Sequence, residues 1–296
     1  MKLEEISCKG SDDKPAVIFI HGLGMDRNIW VDPSASRILG GLCPLSILLG
    51  GNRKKRTERI STLFDDLQSR DYNMVTWSQR RPAGPIESAV QELREIAKIA
   101  RTMTRSGLIL VGHSRGGLVA RKYLTEEDSS VKGIITISTP HYGSSVARVA
   151  AYVTPLARAL DPLFPSGEKG SLAFAVKRVS EFLKSRSLKE LLPGSNFFRT
   201  LHDRRLNGVW YISLGGTNPT LFRIRNFSFP NVFERVIPEK YYPDEMKKGR
   251  GDGLVSLESS RLSWADEHFI FDHNHASILF DPEVRKLLCK KIEEAF

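Results

Sequence analysis

The stretch LILVGHSRGGLVARKYL, Leu108 to Leu124, decides how this chain is read. Its first part is a short apolar run suited to a buried strand, and its last part repeats apolar residues at helical spacing. Between them stands Gly112-His113-Ser114-Arg115-Gly116, the pattern Gly-x-Ser-x-Gly. A serine at such a junction sits on a sharp strand-to-helix turn, where side chains on either side would collide with neighbouring backbone, so glycine is required there. The turn lifts the hydroxyl toward solvent and sets the next N–H, that of Arg115, at a helix N-terminus. One turn thus supplies a candidate nucleophile, Ser114, and part of a site for a developing oxyanion. Gly117 lets the following helix lie close on the sheet.

Outward from this turn the chain alternates. Ala16–Ile20 (AVIFI) reads as a buried strand running into His21-Gly22-Leu23-Gly24, and the N–H of Leu23 is the natural second oxyanion donor. Residues 60–70 read as an amphipathic helix with Leu63, Phe64 and Leu67 on one face, 73–77 as a strand and 86–103 as a helix. Residues 108–111 and 131–137 read as strands on either side of a helix over 116–124. After a break come strands at 209–214 and 268–271, then a final helix from Pro282 to about Ala295. Strands alternating with helices predict a mostly parallel sheet covered on both faces. The alternation fails over 141–206, where only helix-like apolar segments around 146–160 and 172–192 are found. The expected organisation is a core of residues 1–140 and 207–296, with an insertion at about 25–60 and a helical cap at 141–206. Within the first insertion Leu42–Leu49 lies between two glycine pairs and reads equally as a mobile lid or a packed loop.

A serine hydroxyl needs a base, and the base needs a carboxylate to hold its tautomer. Of seven histidines, His21 and His113 lie in glycine turns and read as structural, and His141 reads as a packing or cleft-lining residue. His268 begins a strand. His273 and His275, in FDHNHASIL, lie in the loop after the last strand, where the chain order Ser…acid…His puts the base. Position alone leaves both open. Among Asp244, Asp252, Asp266 and Asp272, the aspartate in Gly251-Asp252-Gly253 suits best, because flanking glycines allow a tight turn that aims a short side chain inward. Asp244 lies in an exposed Pro/Lys-rich stretch, and Asp266 and Asp272 stand very near the histidines.

The 296 residues carry a formal net charge of +10 and 41% hydrophobic residues, a globular composition. Cys8, Cys43 and Cys289 are too scattered for a disulfide framework or a zinc site, which fits a reducing compartment. No signal-peptide pattern and no apolar run of membrane-spanning length is visible, so a cytoplasmic location is expected. The cluster Arg53-Lys54-Lys55-Arg56 reads first as a solvated basic loop and second as a contact for an anionic surface. Nucleic acid is not expected as a partner, since no aromatic-basic motif stands behind the charge.

Taken together, VIFIHGLG, LVGHSRGGLVAR, ISTPHYGS, LLPGSNFF, GDGLVSLESS and DHNHASIL resemble the lipases and esterases of the α/β-hydrolase fold, most closely the bacterial triacylglycerol lipases. These motifs cover about half the chain and stand in that family's order. The resemblance implies Ser114 as nucleophile and Asp252, in Asp-Gly-x-Val, as acid. It prefers His275, in Asn-His, to His273 as base, with the N–H groups of Leu23 and Arg115 as oxyanion donors. Many such lipases hold calcium with an aspartate two residues after the histidine. Ser277 stands there in this chain, so no metal and no organic cofactor enters the expectation. What is expected is a carboxylic ester hydrolase (EC 3.1.1 type) acting in lipid metabolism on esters with hydrophobic acyl chains, with transient contact to a lipid interface. An acyltransferase or lipid deacylase with the same triad is the alternative, and a non-catalytic binding protein a further one. Oligomeric state is left open.

Overall fold

The computed structural model describes residues 3–38, 43–44, 59–146, 148, 186–224, 227–229 and 237–295. Seven strands form the main sheet: β1 (Glu5–Cys8), β2 (Ala16–Ile20), β3 (Asn73–Trp77), β4 (Leu108–His113), β5 (Val131–Ile137), β6 (Trp210–Gly216) and β7 (Glu267–Phe271). Their spatial order is β1-β3-β2-β4-β5-β6-β7. All neighbours pair in parallel except β1, which runs antiparallel to β3 at one edge.

The period-two alternation of the strands divides the core into two layers. Ala16, Ile18 and Ile20 of β2, with Leu108 and Leu110 of β4, face one side, and Val17, Phe19, Ile109 and Val111 face the other. The first layer is closed by α2 (Ile86–Arg101) and α3 (Arg115–Leu124), through residues such as Val90, Leu93, Ala97, Leu118 and Val119. The second is closed by α1 (Leu63–Gln68) and α4 (Pro282–Glu294), with Leu63, Phe64, Leu67, Leu288 and Ile292 turned inward beside the buried Trp30. Strands buried on both faces are near-continuous in hydrophobicity, which is why AVIFI and LILV stand out in the sequence.

Helix starts are chemically marked. Thr62 accepts from the N–H of Asp65 while the Asp65 carboxylate accepts from the N–H of Thr62, so α1 begins at Leu63 and not at residue 60 as the apolar pattern predicted. Asp281 caps α4, with Pro282 at its first position.

Three features depart from the sequence reading. β1 was not predicted. The 25–60 insertion contains a helical turn at Asn28–Val31 and a short antiparallel pair, Arg37–Ile38 with Cys43–Pro44. Apart from Cys43 and Pro44, the proposed lid at Leu42–Leu49 lies outside the described residues. The excursion between β6 and β7 contains a further pair, Phe222–Ile224 with Phe227–Phe229, and a helical turn at Leu257–Ser260. Of the expected cap, residues 147 and 149–185 lie outside the described residues. Residues 186–206 contain two short helices, Arg186–Glu190 and Asn196–Thr200. Among the described residues no helix is long and apolar enough to cross a membrane.

Candidate active site

In a parallel sheet the loops that follow the strands gather at one edge. Here the loop after β2 carries Leu23, the turn after β4 carries Ser114, the excursion after β6 carries Asp252, and the loop after β7 carries His275. The excursion is tied back to that edge. Thr217 N–H donates to the Phe271 carbonyl (3.0 Å), Asn218 N–H to that of His273 (3.2 Å) and Gly249 N–H to that of Thr217 (2.9 Å).

Ser114 has φ 55° and ψ −127°, a left-handed conformation rarely adopted by a residue with a side chain. Such strain is held only where surrounding structure over-determines it. Its N–H donates to the Ile137 carbonyl at 2.8 Å, and α3 starts at the next residue. The glycines do what the sequence implied. A Cβ on Gly112 would stand 2.5–2.6 Å from the backbone of Gly116 and Gly117, one on Gly116 would enter the Ile20 carbonyl, and one on Gly117 would enter the Thr139 side chain.

Asp252 and His275 are both buried and form a pair, His275 Nδ1 donating to Asp252 Oδ2 at 2.9 Å. The other carboxylate oxygen, Oδ1, accepts from the N–H groups of Leu254 (3.0 Å) and Val255 (2.8 Å) in a turn that Gly253 enters at φ 100°. The backbones are joined too, with His275 N–H donating to the Asp252 carbonyl at 3.0 Å. Burial pushes the Asp252 carboxyl up, but the neighbouring His275 and the two N–H donors together hold it below the usual aspartate value.

His113 connects this pair to the nucleophile turn. Its Nε2 donates to the His275 carbonyl at 2.8 Å, and the two rings stand 4.8 Å apart. Ser114 follows directly in the chain. Among the described residues the Ser114 hydroxyl makes no hydrogen bond. Burial depresses His113 to about 3 and His21 to about 4, so both are neutral near pH 7.

Opposite Ser114 lies the loop after β2. A Cβ on Gly22 would stand 3.1 Å from Ser114 Cβ, so the two turns touch. Among the described residues the N–H groups of Leu23 and Arg115 have no acceptor, which leaves both available to an oxygen bound beside Ser114. The Arg115 side chain is buried and bonds an amide and a carbonyl. Nη1 donates to Gln79 Oε1 and Nη2 to the Gly84 carbonyl, each at 2.7 Å.

The remaining candidates lie elsewhere. His273 Nε2 is 3.2 Å from Asp281, the α4 cap. His141 is buried against Arg121 and Thr136, and His268 faces Ser213. Asp244 pairs with Lys247 and Arg250, Asp266 with Arg205, and Asp272 is exposed. The Ser277 hydroxyl accepts from Asn274 N–H at 3.0 Å and closes the loop on itself. Among the described residues no cluster of three or more His, Cys, Asp or Glu suits a metal ion. Two residues near the site were not singled out from the sequence. Gln79 bonds His21 and Arg115, and the buried Glu245 accepts from Ser145 N–H at 2.5 Å while its carbonyl accepts from Gly253 N–H at 2.8 Å.

A family profile described as a PGAP1-like alpha/beta domain matches residues 79–169. No curated protein matches the chain significantly. Among solved structures, the chain is similar to the Bacillus licheniformis lipase BlEst2. The mature form has a TM-score of 0.53 at 18% identity, with 97% of this chain and 97% of that one covered. The propeptide form has a TM-score of 0.59 at 17% identity, with 97% and 53% covered, so the chain spans about half the length of that form. The Mycobacterium tuberculosis protein BpoC has a TM-score of 0.50 at 13% identity, with 100% and 97% covered. With its mostly parallel seven-stranded sheet and helices on both faces, the chain has the α/β-hydrolase fold.

Proposed function

We propose that the protein is a serine carboxylesterase or lipase, with Ser114 as nucleophile, His275 as base, Asp252 as the acid orienting it, and the N–H groups of Leu23 and Arg115 as oxyanion donors. The observation that carries this reading is the buried Asp252–His275 pair at 2.9 Å beside the strained Ser114 turn. Asp252 accepts the hydrogen bond from Nδ1–H and so keeps that proton on Nδ1, which leaves Nε2 free to accept one. Ser114 Oγ then gives its proton to Nε2 and bonds the ester carbonyl carbon, and the carbonyl oxygen takes the negative charge onto the two N–H groups. The C–O bond to the alcohol breaks, and His275 returns the proton to the leaving oxygen. Water adds by the same steps to release the acid and Ser114. A hydrogen bond from nucleophile to base is often loose until substrate closes the site, so the unengaged hydroxyl is compatible with this role.

A hydrophobic acyl group is proposed because the inserted segment between Val146 and Ser187 is rich in Ala, Val, Leu and Phe, and both of its described ends lie near the site. Val146 is in a turn with Ser144, whose Oγ donates to the Leu254 carbonyl at 2.7 Å. Ser187 Oγ donates to the Gly84 carbonyl at 2.7 Å. The test is hydrolysis of p-nitrophenyl esters from acetate to palmitate by the protein and its Ser114→Ala variant. Turnover is expected in the former only, with an optimum beyond acetate. Equal turnover by both, or none by the folded protein on any ester, overturns the proposal.

A further inference from the structure

Behind the two proposed oxyanion donors runs a buried chain of side chains that the reaction does not use directly. Arg115 supplies one donor through its backbone N–H. Its guanidinium reaches back through Nη1 to Gln79 Oε1 at 2.7 Å. Gln79 in turn grips His21 twice. Its backbone N–H donates to His21 Nε2 at 3.0 Å, and its amide Nε2 donates to the His21 carbonyl at 3.2 Å. The His21 ring completes the chain by donating from Nδ1 to the Gly22 carbonyl at 2.9 Å. That carbonyl belongs to the peptide whose N–H is the Leu23 donor. Arg115 is anchored on its far side by the Gly84 carbonyl at 2.7 Å, which Ser187 also holds.

We infer that the Arg115–Gln79–His21 chain is a brace that sets the Leu23 N–H and the Arg115 N–H in register with each other. The inference rests on the esterase reading above. Two features point to positioning and not to mere filling of space. The guanidinium is fully buried and, among the described residues, forms no salt bridge, only the contacts to Gln79 and Gly84. A buried cation so placed is less favourable than an apolar side chain of similar volume, so its gain lies elsewhere. The hydrogen bonds are also directional and sequential, and the last, from His21 Nδ1 to the Gly22 carbonyl, ends on the peptide whose N–H is to be oriented. Burial keeps the His21 ring neutral, so Nδ1 can donate while Nε2 accepts, and the chain has a single consistent proton arrangement.

Gln79, His21 and the Arg115 side chain are therefore positioning residues. A loop held by one fewer brace allows the Leu23 donor to drift from where the oxyanion develops, while the ground-state ester binds much as before. The first variant is Gln79→Leu, which keeps the volume and removes both side-chain contacts. Loss of a whole oxyanion donor lowers kcat by about 10²–10³-fold, so misplacement of one is expected to lower it by about 10- to 100-fold, with KM within about 3-fold. Affinity for an alkylboronic acid, whose tetrahedral adduct puts an oxygen on the donors, is expected to fall by the same factor as kcat/KM. The second variant is Gln79→Glu. It keeps an acceptor for Arg115, and so the fold, but sets a carboxylate oxygen against the His21 carbonyl. It is expected to lose kcat and boronate affinity together, as Gln79→Leu does.

Ser114-dependent turnover with wild-type kcat in both folded variants overturns the brace alone. So does a loss in which KM rises and boronate affinity tracks substrate affinity. Absence of Ser114-dependent turnover in the unsubstituted protein overturns the esterase reading, and the brace with it.

Discussion

Asparagine at position 252 probes the acid–base pair where its geometry is most constrained. Asp252 uses both oxygens, Oδ2 for His275 Nδ1 at 2.9 Å and Oδ1 for the N–H groups of Leu254 and Val255 at 3.0 and 2.8 Å. An asparagine has only one acceptor oxygen. Turned toward His275, it would set its NH2 against two buried backbone donors, at a penalty of about 1–3 kcal/mol for each N–H left without an acceptor. The oxygen therefore stays with Leu254 and Val255, and the NH2 faces His275. The imidazole responds by moving its proton to Nε2, so that Nδ1 accepts. That tautomer has no lone pair for the Ser114 proton. The same exchange in a serine protease triad lowers kcat about 10⁴-fold, about 5 kcal/mol of barrier, and a loss of that size is expected for Asp252→Asn. The assay is kcat and KM on p-nitrophenyl butyrate, with near-UV circular dichroism to verify the fold and the rate of Ser114 labelling by a fluorophosphonate as a second readout. Both rates should fall while the fold holds. A folded Asp252→Asn variant within 10-fold of the parent kcat would refute the assignment of Asp252.

Further outcomes follow from the other histidines. His113 and His21 titrate in the folded protein near 3 and 4, well below their unfolded value, so the unfolded chain binds protons that the folded one refuses. Stability is then complete above about pH 6.5 and falls on acidification, by roughly 2 kcal/mol for each of the two between about pH 6.5 and about pH 5. Asp252 adds nothing in that window, since its depressed pKa lowers stability only below the ordinary aspartate range. Burial depresses His141 likewise and raises Glu245, which acts in the opposite sense, so the decisive quantity is a difference. Urea unfolding of His113→Gln should show a pH slope shallower than the parent's by about one histidine, and an unchanged slope would contradict the buried neutral state. His273 contacts the α4 cap and not Asp252, so His273→Ala should keep kcat within about 2-fold and lose at most about 1 kcal/mol of stability. A kcat loss matching that of His275→Ala would transfer the base to His273.

What could be read in the sequence was what depends on neighbours along the chain. The strand AVIFI, the strand-to-helix turn around Ser114 and the glycine flanks of Asp252 each carry their constraint within a few residues, because backbone sterics at a tight turn act locally. The start of α1 was misplaced because the apolar face runs from Ile60, whereas the Thr62–Asp65 cap decides where the first turn forms. β1 escaped notice because EISC is only four residues long. Its inward Ile6 and Cys8 become a pattern only once β3 lies beside them.

Gln79 is the more instructive omission. It lies in the polar run Ser78-Gln79-Arg80-Arg81, where nothing in spacing or hydropathy separates it from solvated neighbours. Its partners are His21, 58 positions earlier, and Arg115, 36 positions later. Both were in view from the sequence, one as a structural histidine in a glycine turn and the other as a candidate oxyanion donor. What was missing was the juxtaposition, which the parallel sheet creates. Because β4 and β3 flank β2 on its two sides, the turns that follow all three open at the same edge, and a residue just past β3 can span the other two. Pairing of strands thus determines which polar side chains share a buried space, and a brace assembled across three strands leaves no signature in any one of them.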